Sequence, residues 1–231
     1  MGRGYAGESG IMKEYDGLLS LVKSTRAHLP AEMVITMAYY PDSRQERMLK
    51  EREMDEFVDF LHMMTYDQQT GTTAETMTHS TAEFTSNAVH QGLRSGLDGH
   101  KLTVGVPFYG RNSRSGDWTT YEDIVQTYHP LAPSADIAVV VQGGKEIKGK
   151  GVSETDETAA KPTSYIGYNG IATIQAKVAE ARSLHLGGVM IWEVGQDCRV
   201  VETVRVGQTH GVTCPNGKNS SLLQAISDSL A

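Results

Sequence analysis

Apolar and polar positions alternate along the chain in blocks whose spacing predicts strands and helices in turn. The strand-like blocks are short apolar runs closed by turn or charged residues, and the blocks between them carry apolar residues three or four positions apart. Alternation of this kind favours parallel pairing of the strands. The predicted strands are 33–40, 58–67, 101–111 and 187–193, and the predicted helices are 18–29, 81–93, 171–184 and 220–230, with a charged, helix-compatible segment at 43–56. The last helix is predicted to carry Leu222, Leu223, Ile226 and Leu230 on one side.

The run that ends at Tyr66-Asp67 organises the rest of the chain. It begins with Val58 and Phe60, stops abruptly at an aromatic hydroxyl and a carboxylate, and is followed by a polar loop that closes at Gly71. In parallel β/α proteins the carboxyl ends of the strands form the active face, so this pattern predicts a functional site. The alternative is a core strand whose Asp67 only caps a turn. Two later predicted strands end in the same manner, which favours a site.

Between 112 and 164 the pattern changes. Prolines and glycines interrupt it, a β-like run at 137–141 precedes a Gly143-Gly144 turn, and 121–128 has the pattern of one short helix. We interpret this segment as a small α+β insertion. We expect the alternation of strands and helices to resume at 165–168. The predicted organisation is therefore 1–111, an insertion at 112–165, and 166–231.

Composition sets mild bounds on the function. The 231 residues are 39% hydrophobic and 21% charged, with a formal net charge of −7. Beyond the stretch from Lys145 to Lys150, interpreted as a solvated hairpin, there is no cluster of basic residues, so nucleic acid is not an expected partner. No apolar run approaches the length of a membrane span, and the first eleven residues lack the apolar region of a signal peptide.

Three motifs together resemble glycoside hydrolase family 18, the chitinases and chitinase-like proteins. They are Met64-Thr65-Tyr66-Asp67, Gly105-Val106-Pro107-Phe108-Tyr109-Gly110-Arg111 and Gly187-Gly188-Val189-Met190-Ile191-Trp192, in that order and with an inserted segment before the last. The resemblance runs from about residue 15 to 230. It implies an α/β fold: the C-terminal half, strands five to eight, of a TIM (β/α)8 barrel with a small α+β insertion between the last two strands.

The catalytic signature of that family, Asp-x-x-Asp-x-Asp-x-Glu, does not occur in this sequence. The acidic clusters Asp55-Glu56 and Glu154 to Glu157 lack its spacing, and Gly2-Arg3-Gly4-Tyr5-Ala6-Gly7 resembles the glycine-rich loop just after the signature strand. We therefore expect a truncated chain that is inactive alone and whose parent hydrolyses β-1,4-linked N-acetylglucosamine polymers. The alternative is a lectin-like member that binds chitin without cleaving it.

The resemblance also implies residue roles. In family 18 the N-acetyl oxygen of the substrate attacks the anomeric carbon, so the enzyme must hold the acetamide group still. Tyr66 would donate its hydroxyl to the acetamide oxygen and Asp67 would hydrogen-bond the sugar. No cofactor is expected. Substrate contacts are expected from Met64, Tyr109, Arg111, Met190 and Trp192, although core packing is the alternative for both methionines and an ion pair is the alternative for Arg111.

Two further residues near these motifs are ambiguous. Trp118 has the pattern either of an exposed aromatic residue beside a sugar cleft or of a core position in the insertion. Glu193 is interpreted as a structural hydrogen-bonding residue rather than a replacement acid.

Cys198 and Cys214 flank one loop, and Asn219-Ser220-Ser221 is a glycosylation sequon. One disulfide and a secreted or extracellular parent would fit both features, and two reduced thiols are the alternative. A metal site is disfavoured because no histidine pair lies at ligand spacing.

A half-built barrel would also leave two unpaired sheet edges, at 33–40 and 187–192, through which the chain could self-associate. Its inner face is predicted to carry Ile35, Met37, Val104, Val106, Val189 and Ile191.

Overall fold

The computed structural model describes residues 7–128, 131–141, 162–205 and 208–231. The predicted Lys145 to Lys150 hairpin, the Gly143-Gly144 turn, the acidic Glu154 to Glu157 cluster and all but the last residue of the Gly2 to Gly7 loop lie outside the described residues. Within them the helices are α1 Gly7–His28, α2 Arg44–Glu51, α3 Ala82–Arg94, α4 Tyr121–Thr127, α5 Ile171–Ser183 and α6 Leu222–Leu230. None of these helices is long and apolar enough to cross a membrane.

The strands of the described residues form two four-stranded sheets and two short ribbons. The strands are β1 Thr36–Tyr39, β2 Phe60–Met63, β3 Gln69–Thr70, β4 Thr78–His79, β5 Leu102–Pro107, β6 Tyr109–Asn112, β7 Trp118–Thr120, β8 Ile137–Val141, β9 Pro162–Gly167, β10 Gly188–Trp192, β11 Thr203–Arg205 and β12 Gln208–His210. The first sheet is parallel, in the order β1-β2-β5-β10, and the second is antiparallel, in the order β7-β6-β9-β8.

One face of the parallel sheet packs on the helices. Tyr39, Met63 and Val104 are paired across neighbouring strands, and all three are buried. On α3, a Cβ at Gly92 would lie 3.2 Å from Leu102 Cδ1 and 3.3 Å from the hydroxyl of Tyr39, so a glycine allows the helix to approach this closely. Burying each such apolar side chain contributes about 1.5–3 kcal/mol, which makes this face the main core of the parallel sheet.

The prediction of which residues line the inner face of the parallel sheet is wrong. Val104 and Val106 are fully buried, and the register places Val189 beside Val104 and Ile191 beside Val106. Side chains two residues apart on a strand share a face, so these four residues lie on the helix side with Met63. The opposite side carries Ala38, His62 and Thr103, which are paired in register.

The predicted strand 101–111 is also wrong, because it is two strands. β5 ends at Pro107, the backbone N–H of Phe108 donates to the Trp192 carbonyl at 2.9 Å, and the Phe108 carbonyl accepts from Tyr121 N at 2.9 Å. After this break, β6 turns into the antiparallel sheet. A Cβ at Gly110 would lie 2.6 Å from Ile166 Cγ2, so the close packing of β6 on β9 depends on glycine there.

The antiparallel sheet extends a few residues beyond the predicted 112–165 insertion at both ends, from Tyr109 to Gly167. The segment at 165–168, predicted to resume the parallel alternation, is instead the end of β9, paired antiparallel with β8 and β6. The short helix predicted at 121–128 is α4.

The C-terminal segment is held by a disulfide between Cys198 and Cys214 and by a capped helix. Asp197 Oδ2 accepts hydrogen bonds from the hydroxyl of Ser221 at 2.7 Å and from Leu223 N at 2.9 Å, which satisfies free N–H groups at the start of α6. The single apolar side predicted for this helix is only partly correct. Leu222 and Ile226 are buried, whereas Leu223 and Leu230 are exposed.

Candidate active site

A cleft of about 700 Å³ opens where the strands of the parallel sheet end, beside the antiparallel sheet. The structure brings every predicted site residue to this cleft. They are Met64, Tyr66, Asp67, Tyr109, Arg111, Met190 and Trp192, and the cleft is completed by Ala38, His62, Trp118, Ile191, Glu193 and Gln196. Met64 and Met190 are each partly exposed here, so neither is only core filler.

Tyr66 follows β2 and packs its ring on Gly105 of β5. A Cβ at Gly105 would lie 2.4 Å from the Met63 carbonyl oxygen and 2.8 Å from Tyr66 Cε1, so this ring position requires a glycine on the neighbouring strand. Burial, together with the charge of Asp67, raises the pKa of Tyr66 to about 12. The hydroxyl therefore keeps its proton at neutral pH and can donate a hydrogen bond to a ligand.

Asp67 takes a left-handed backbone conformation, with φ 62°, in the loop that follows the end of β2 at Met63. One of its carboxylate oxygens, Oδ1, accepts three hydrogen bonds: from the Tyr109 hydroxyl at 2.7 Å, from Arg111 Nε at 3.0 Å and from Arg111 Nη2 at 2.8 Å. The other oxygen, Oδ2, has no hydrogen-bond partner within the described residues. Because the Asp67 side chain is 42% exposed and lines the cleft, this carboxylate can still accept from a ligand.

Asp67 is held in its charged form. Its pKa lies well below the usual value, because of the neighbouring His79 ring and of the hydrogen bonds from Tyr109 and Arg111, although partial burial opposes them. His79 Nε2 is 3.9 Å from Oδ1, longer than a hydrogen bond, so Tyr109 and Arg111 make the direct contacts. Burial, together with the same carboxylate, raises the pKa of Tyr109, which therefore remains a donor.

His79 was missed by the sequence reasoning. Its side chain is 0% exposed, its ring centroid lies 5.4 Å from that of Tyr109, and burial lowers its pKa despite the opposing effect of Asp67, so the ring is neutral at pH 7. It reaches the site because β4 pairs with β3, which places His79 opposite Gln69. No local signal in the sequence marks this two-residue pairing.

Two exposed tryptophans lie on the cleft. Trp192 ends β10 and is 53% exposed, and Trp118 begins β7 opposite Arg111 and is 58% exposed. Of the two alternatives left open for Trp118, the structure shows the exposed cleft position. Large exposed rings beside fixed polar groups are the features expected of a binding cleft.

Glu193 also lies on the cleft. Its carboxylate is exposed and makes no hydrogen bond or ion pair within the described residues, which contradicts the predicted structural role. As for metals, the part of the chain that the structure describes contains no cluster of three or more His, Cys, Asp or Glu side chains that could hold an ion.

The protein is therefore an α/β protein with polar side chains grouped around an open cleft at the carboxyl ends of its parallel strands, which is where such folds bind ligands. The sequence matches the family model Glycosyl hydrolases family 18 over residues 5–197, and the chain belongs to this family.

Several of the similar proteins are chitinases. Class V chitinase CHIT5 of Lotus japonicus is 25% identical over 207 residues, which cover 81% of this chain and 51% of that protein. The GH18 chitinase ChiB of Flavobacterium johnsoniae has a TM-score of 0.58 at 24% identity, covering 96% of this chain and 55% of that one. A plant class V chitinase mutant from Cycas revoluta, in complex with (GlcNAc)3, has a TM-score of 0.59 at 16% identity, and the match covers 99% of this chain and 66% of that one.

The structural likeness shows that the chain has a chitinase-like α/β fold. The chain spans about half the length of CHIT5 and of ChiB.

Proposed function

We propose that this chain forms the N-acetylglucosamine-binding side of a family 18 chitinase site. The observation that carries the proposal is Asp67, which Tyr109 and Arg111 hold in its charged form through one oxygen while the other remains available in the cleft. A fixed carboxylate beside the donor hydroxyl of Tyr66 suits an acetamide group, which offers one N–H and one carbonyl oxygen. The complex of the Cycas revoluta chitinase with (GlcNAc)3 supports a chitooligosaccharide as the ligand.

In the proposed reaction the acetamide oxygen of the substrate attacks the anomeric carbon while the leaving sugar oxygen takes a proton from a general acid. Tyr66 donates its hydroxyl to the acetamide oxygen, and Asp67 accepts from the acetamide N–H as positive charge develops on that group. Both roles are positioning and electrostatic, since neither residue forms a bond to the sugar. Trp192 forms the apolar floor under the sugar ring, with Met64 and Met190 beside it, and Tyr109 and Arg111 contact the sugar chain.

The general acid lies outside this chain in our proposal. The sequence contains no Asp-x-x-Asp-x-Asp-x-Glu, and the chain spans only about half of CHIT5, so the parallel sheet β1-β2-β5-β10 corresponds to strands five to eight of a barrel. The antiparallel sheet is then the insertion between the last two. The disulfide and the sequon at Asn219 favour a secreted parent.

The test is binding and turnover measured on the same purified chain. Isothermal titration with the N-acetylglucosamine tetramer should show binding, and Tyr66→Phe and Asp67→Asn should each weaken it by about tenfold, the value of one hydrogen bond to a charged or fixed partner. Asp228→Asn, on the exposed side of α6, is the matched control and should bind as the parent chain does. Absence of binding in the unaltered chain would overturn the proposal.

The same preparation should not cleave a chromogenic N-acetylglucosamine oligomer, because general acid catalysis contributes roughly two to four orders of magnitude. Turnover comparable to that of an intact chitinase, lost in Asp67→Asn, would show that the chain contains an acid we have not assigned.

The second candidate is a lectin-like protein that binds chitin without hydrolysing it. A sequence without the acidic signature is expected of such a lectin just as it is expected of a truncated chitinase. Sequencing the transcript upstream of Met1 separates the two, since an in-frame Asp-x-x-Asp-x-Asp-x-Glu supports the chitinase and its absence there supports the lectin.

A further inference from the structure

One lysine lies wholly inside the protein, behind the cleft. Lys177 is on α5, 0% exposed, on the same buried face as Ile174, Val178 and Ala181. Its Nζ donates a hydrogen bond of 2.8 Å to Asn169 Oδ1. Burial lowers the pKa of Lys177 to about 7, with Asp136 opposing the shift. Lysine is almost never fully buried unless it is paired, so the complete burial of Lys177 needs an explanation.

Asn169 connects this lysine to the backbone next to the site. It is 1% exposed, and its Nδ2 donates to the carbonyl oxygen of His79 at 2.8 Å and to that of Ser80 at 3.3 Å. Ser80 has a left-handed φ of 54°, which is uncommon for a residue other than glycine. Its N–H donates to the Gln68 carbonyl at 2.7 Å, one residue after Asp67.

The backbone is close-packed around the turn formed by His79 and Ser80. A Cβ at Gly167 would lie 2.7 Å from Met77 Cε and 3.2 Å from His79 Cβ, so β9 presses directly on the strand that carries His79. The His79 ring is thereby placed with Nε2 3.9 Å from Asp67 Oδ1 and against the ring of Tyr109. Neither nitrogen of the His79 ring has a hydrogen-bond partner among the described residues, so the position of the ring must be fixed by the backbone that carries it and by packing.

We propose that Lys177 and Asn169 are positioning residues of the cleft: Lys177 orients the Asn169 amide, Asn169 holds the carbonyls of His79 and Ser80, and the turn keeps the His79 ring against Asp67. Neither residue touches the ligand. The contribution to sugar binding rests on the proposed function, whereas the effect on His79 does not.

The test compares three variants of the full chain. Asn169→Ala removes both bonds to the turn, and Lys177→Met removes the donor that orients Asn169 while leaving no buried unpaired charge. The matched control is Thr173→Val, one turn earlier on α5, which loses a bond of 2.6 Å from Thr173 Oγ1 to Asp136 Oδ2 but leaves the turn intact. The readouts are melting temperature, hydrogen–deuterium exchange at each histidine C2 carbon across pH, and titration with the N-acetylglucosamine tetramer.

We expect His79 to exchange faster in Asn169→Ala and Lys177→Met, with its pKa raised towards the usual value as the ring leaves its buried position. Tetramer binding should weaken several-fold in both variants, and Thr173→Val should match the parent chain in both readouts. If Asn169→Ala does not fold, Lys177→Met decides the question alone.

Unchanged exchange at His79 in the folded variants would overturn the proposal, as would an equal change in Thr173→Val. Unchanged tetramer binding despite a freed His79 would overturn the role in the cleft. If the parent chain itself binds no tetramer but His79 responds as expected, the proposed function has failed and the structural link from Lys177 to His79 is supported.

Discussion

The Tyr109 hydroxyl donates a 2.7 Å hydrogen bond to Oδ1 of Asp67, although the two residues are 42 positions apart. Asp67 follows β2 of the parallel sheet, and Tyr109 begins β6 of the antiparallel sheet. Arg111 lies two residues further on the same strand and bonds the same oxygen. The charge state of Asp67 is therefore coupled to the contact between the two sheets.

The first prediction concerns pH. The pKa of Asp67 is depressed, so the favourable contribution of its charged form is present at neutral pH and is lost only when the pH falls through that depressed value. Arg111→Met removes two of the bonds to Oδ1, so the pKa should rise towards the ordinary aspartate value of about 4. Tetramer binding by the unaltered chain should be constant from neutral pH to below 4, whereas Arg111→Met should lose binding as the pH approaches about 4.

Titration calorimetry across pH checks this, with Arg47→Met on the exposed side of α2 as the control. Arg111→Lys should give an intermediate result, because lysine keeps the charge but not the paired geometry. Identical pH profiles for the unaltered chain and Arg111→Met would show that Arg111 does not control the ionisation of Asp67.

The second prediction compares the two cleft tryptophans. Trp192 ends β10 of the parallel sheet, and Tyr66 follows β2 of the same sheet, whereas Trp118 lies on the antiparallel sheet as the register partner of Arg111. If the acetamide lies at Tyr66 and Asp67, the adjoining ring stacks on Trp192, so Trp192→Ala should weaken tetramer binding more than Trp118→Ala. Titration with the dimer and the tetramer measures both. Equally small effects of the two variants would contradict the placement of the sugar chain.

The positions of Tyr66, Asp67 and Trp192 at the cleft were predictable because each stands at or after the end of a strand of the parallel sheet. Tyr66-Asp67 and Trp192 stand at the ends of apolar runs, and parallel strands bring their carboxyl ends to one edge, so local pattern was enough. Family resemblance then added the roles proposed for these residues.

Other features depend on contacts that no local pattern encodes. The break at Phe108 arises from backbone bonds to Trp192 and Tyr121, which are remote in sequence. His79 reaches Asp67 only through the pairing of β3 with β4 and the support of Asn169. The inner face of the parallel sheet was assigned wrongly. The strands alternate between apolar residues and small or polar residues, and this alternation alone does not show which of the two sets packs on the helices.

The third prediction concerns the disulfide. The Cys198–Cys214 bond closes a loop with a sequence separation of 16. A loop of that length stabilises by about 3 kcal/mol in the chain-entropy description. For a chain of this size that corresponds to a fall in melting temperature of roughly 6–12 °C in the Cys198→Ala/Cys214→Ala variant. Calorimetry with and without reductant checks whether the disulfide causes this difference in melting temperature. Reductant should lower the melting temperature of the unaltered chain and leave that of the variant unchanged. A melting temperature insensitive to reductant would mean that the two thiols are not bonded in solution.

The last prediction concerns the edges of the parallel sheet. Within the described residues, β1 pairs only with β2 and β10 pairs only with β5, so each leaves one row of backbone groups without a strand partner. Because Val104 and Val106 are sheltered by the helices, any self-association should come from these edges and from exposed residues next to them, such as Val34 and Trp192, rather than from an open core.

We expect the chain to show concentration-dependent oligomers in light scattering coupled to size-exclusion chromatography. Thr36→Lys places a charge at an exposed position of β1 and should shift the distribution towards monomer, because charged edge residues oppose strand addition. Leu223→Lys places the same charge at an exposed position of α6, outside the parallel sheet, and should leave the distribution unchanged. A monodisperse monomer with a sharp cooperative melt in the unaltered chain would show that both edges are already protected and that the proposed half-barrel is wrong. An equal shift towards monomer in both variants would show that the association depends on the general surface properties of the chain and not on the sheet edges.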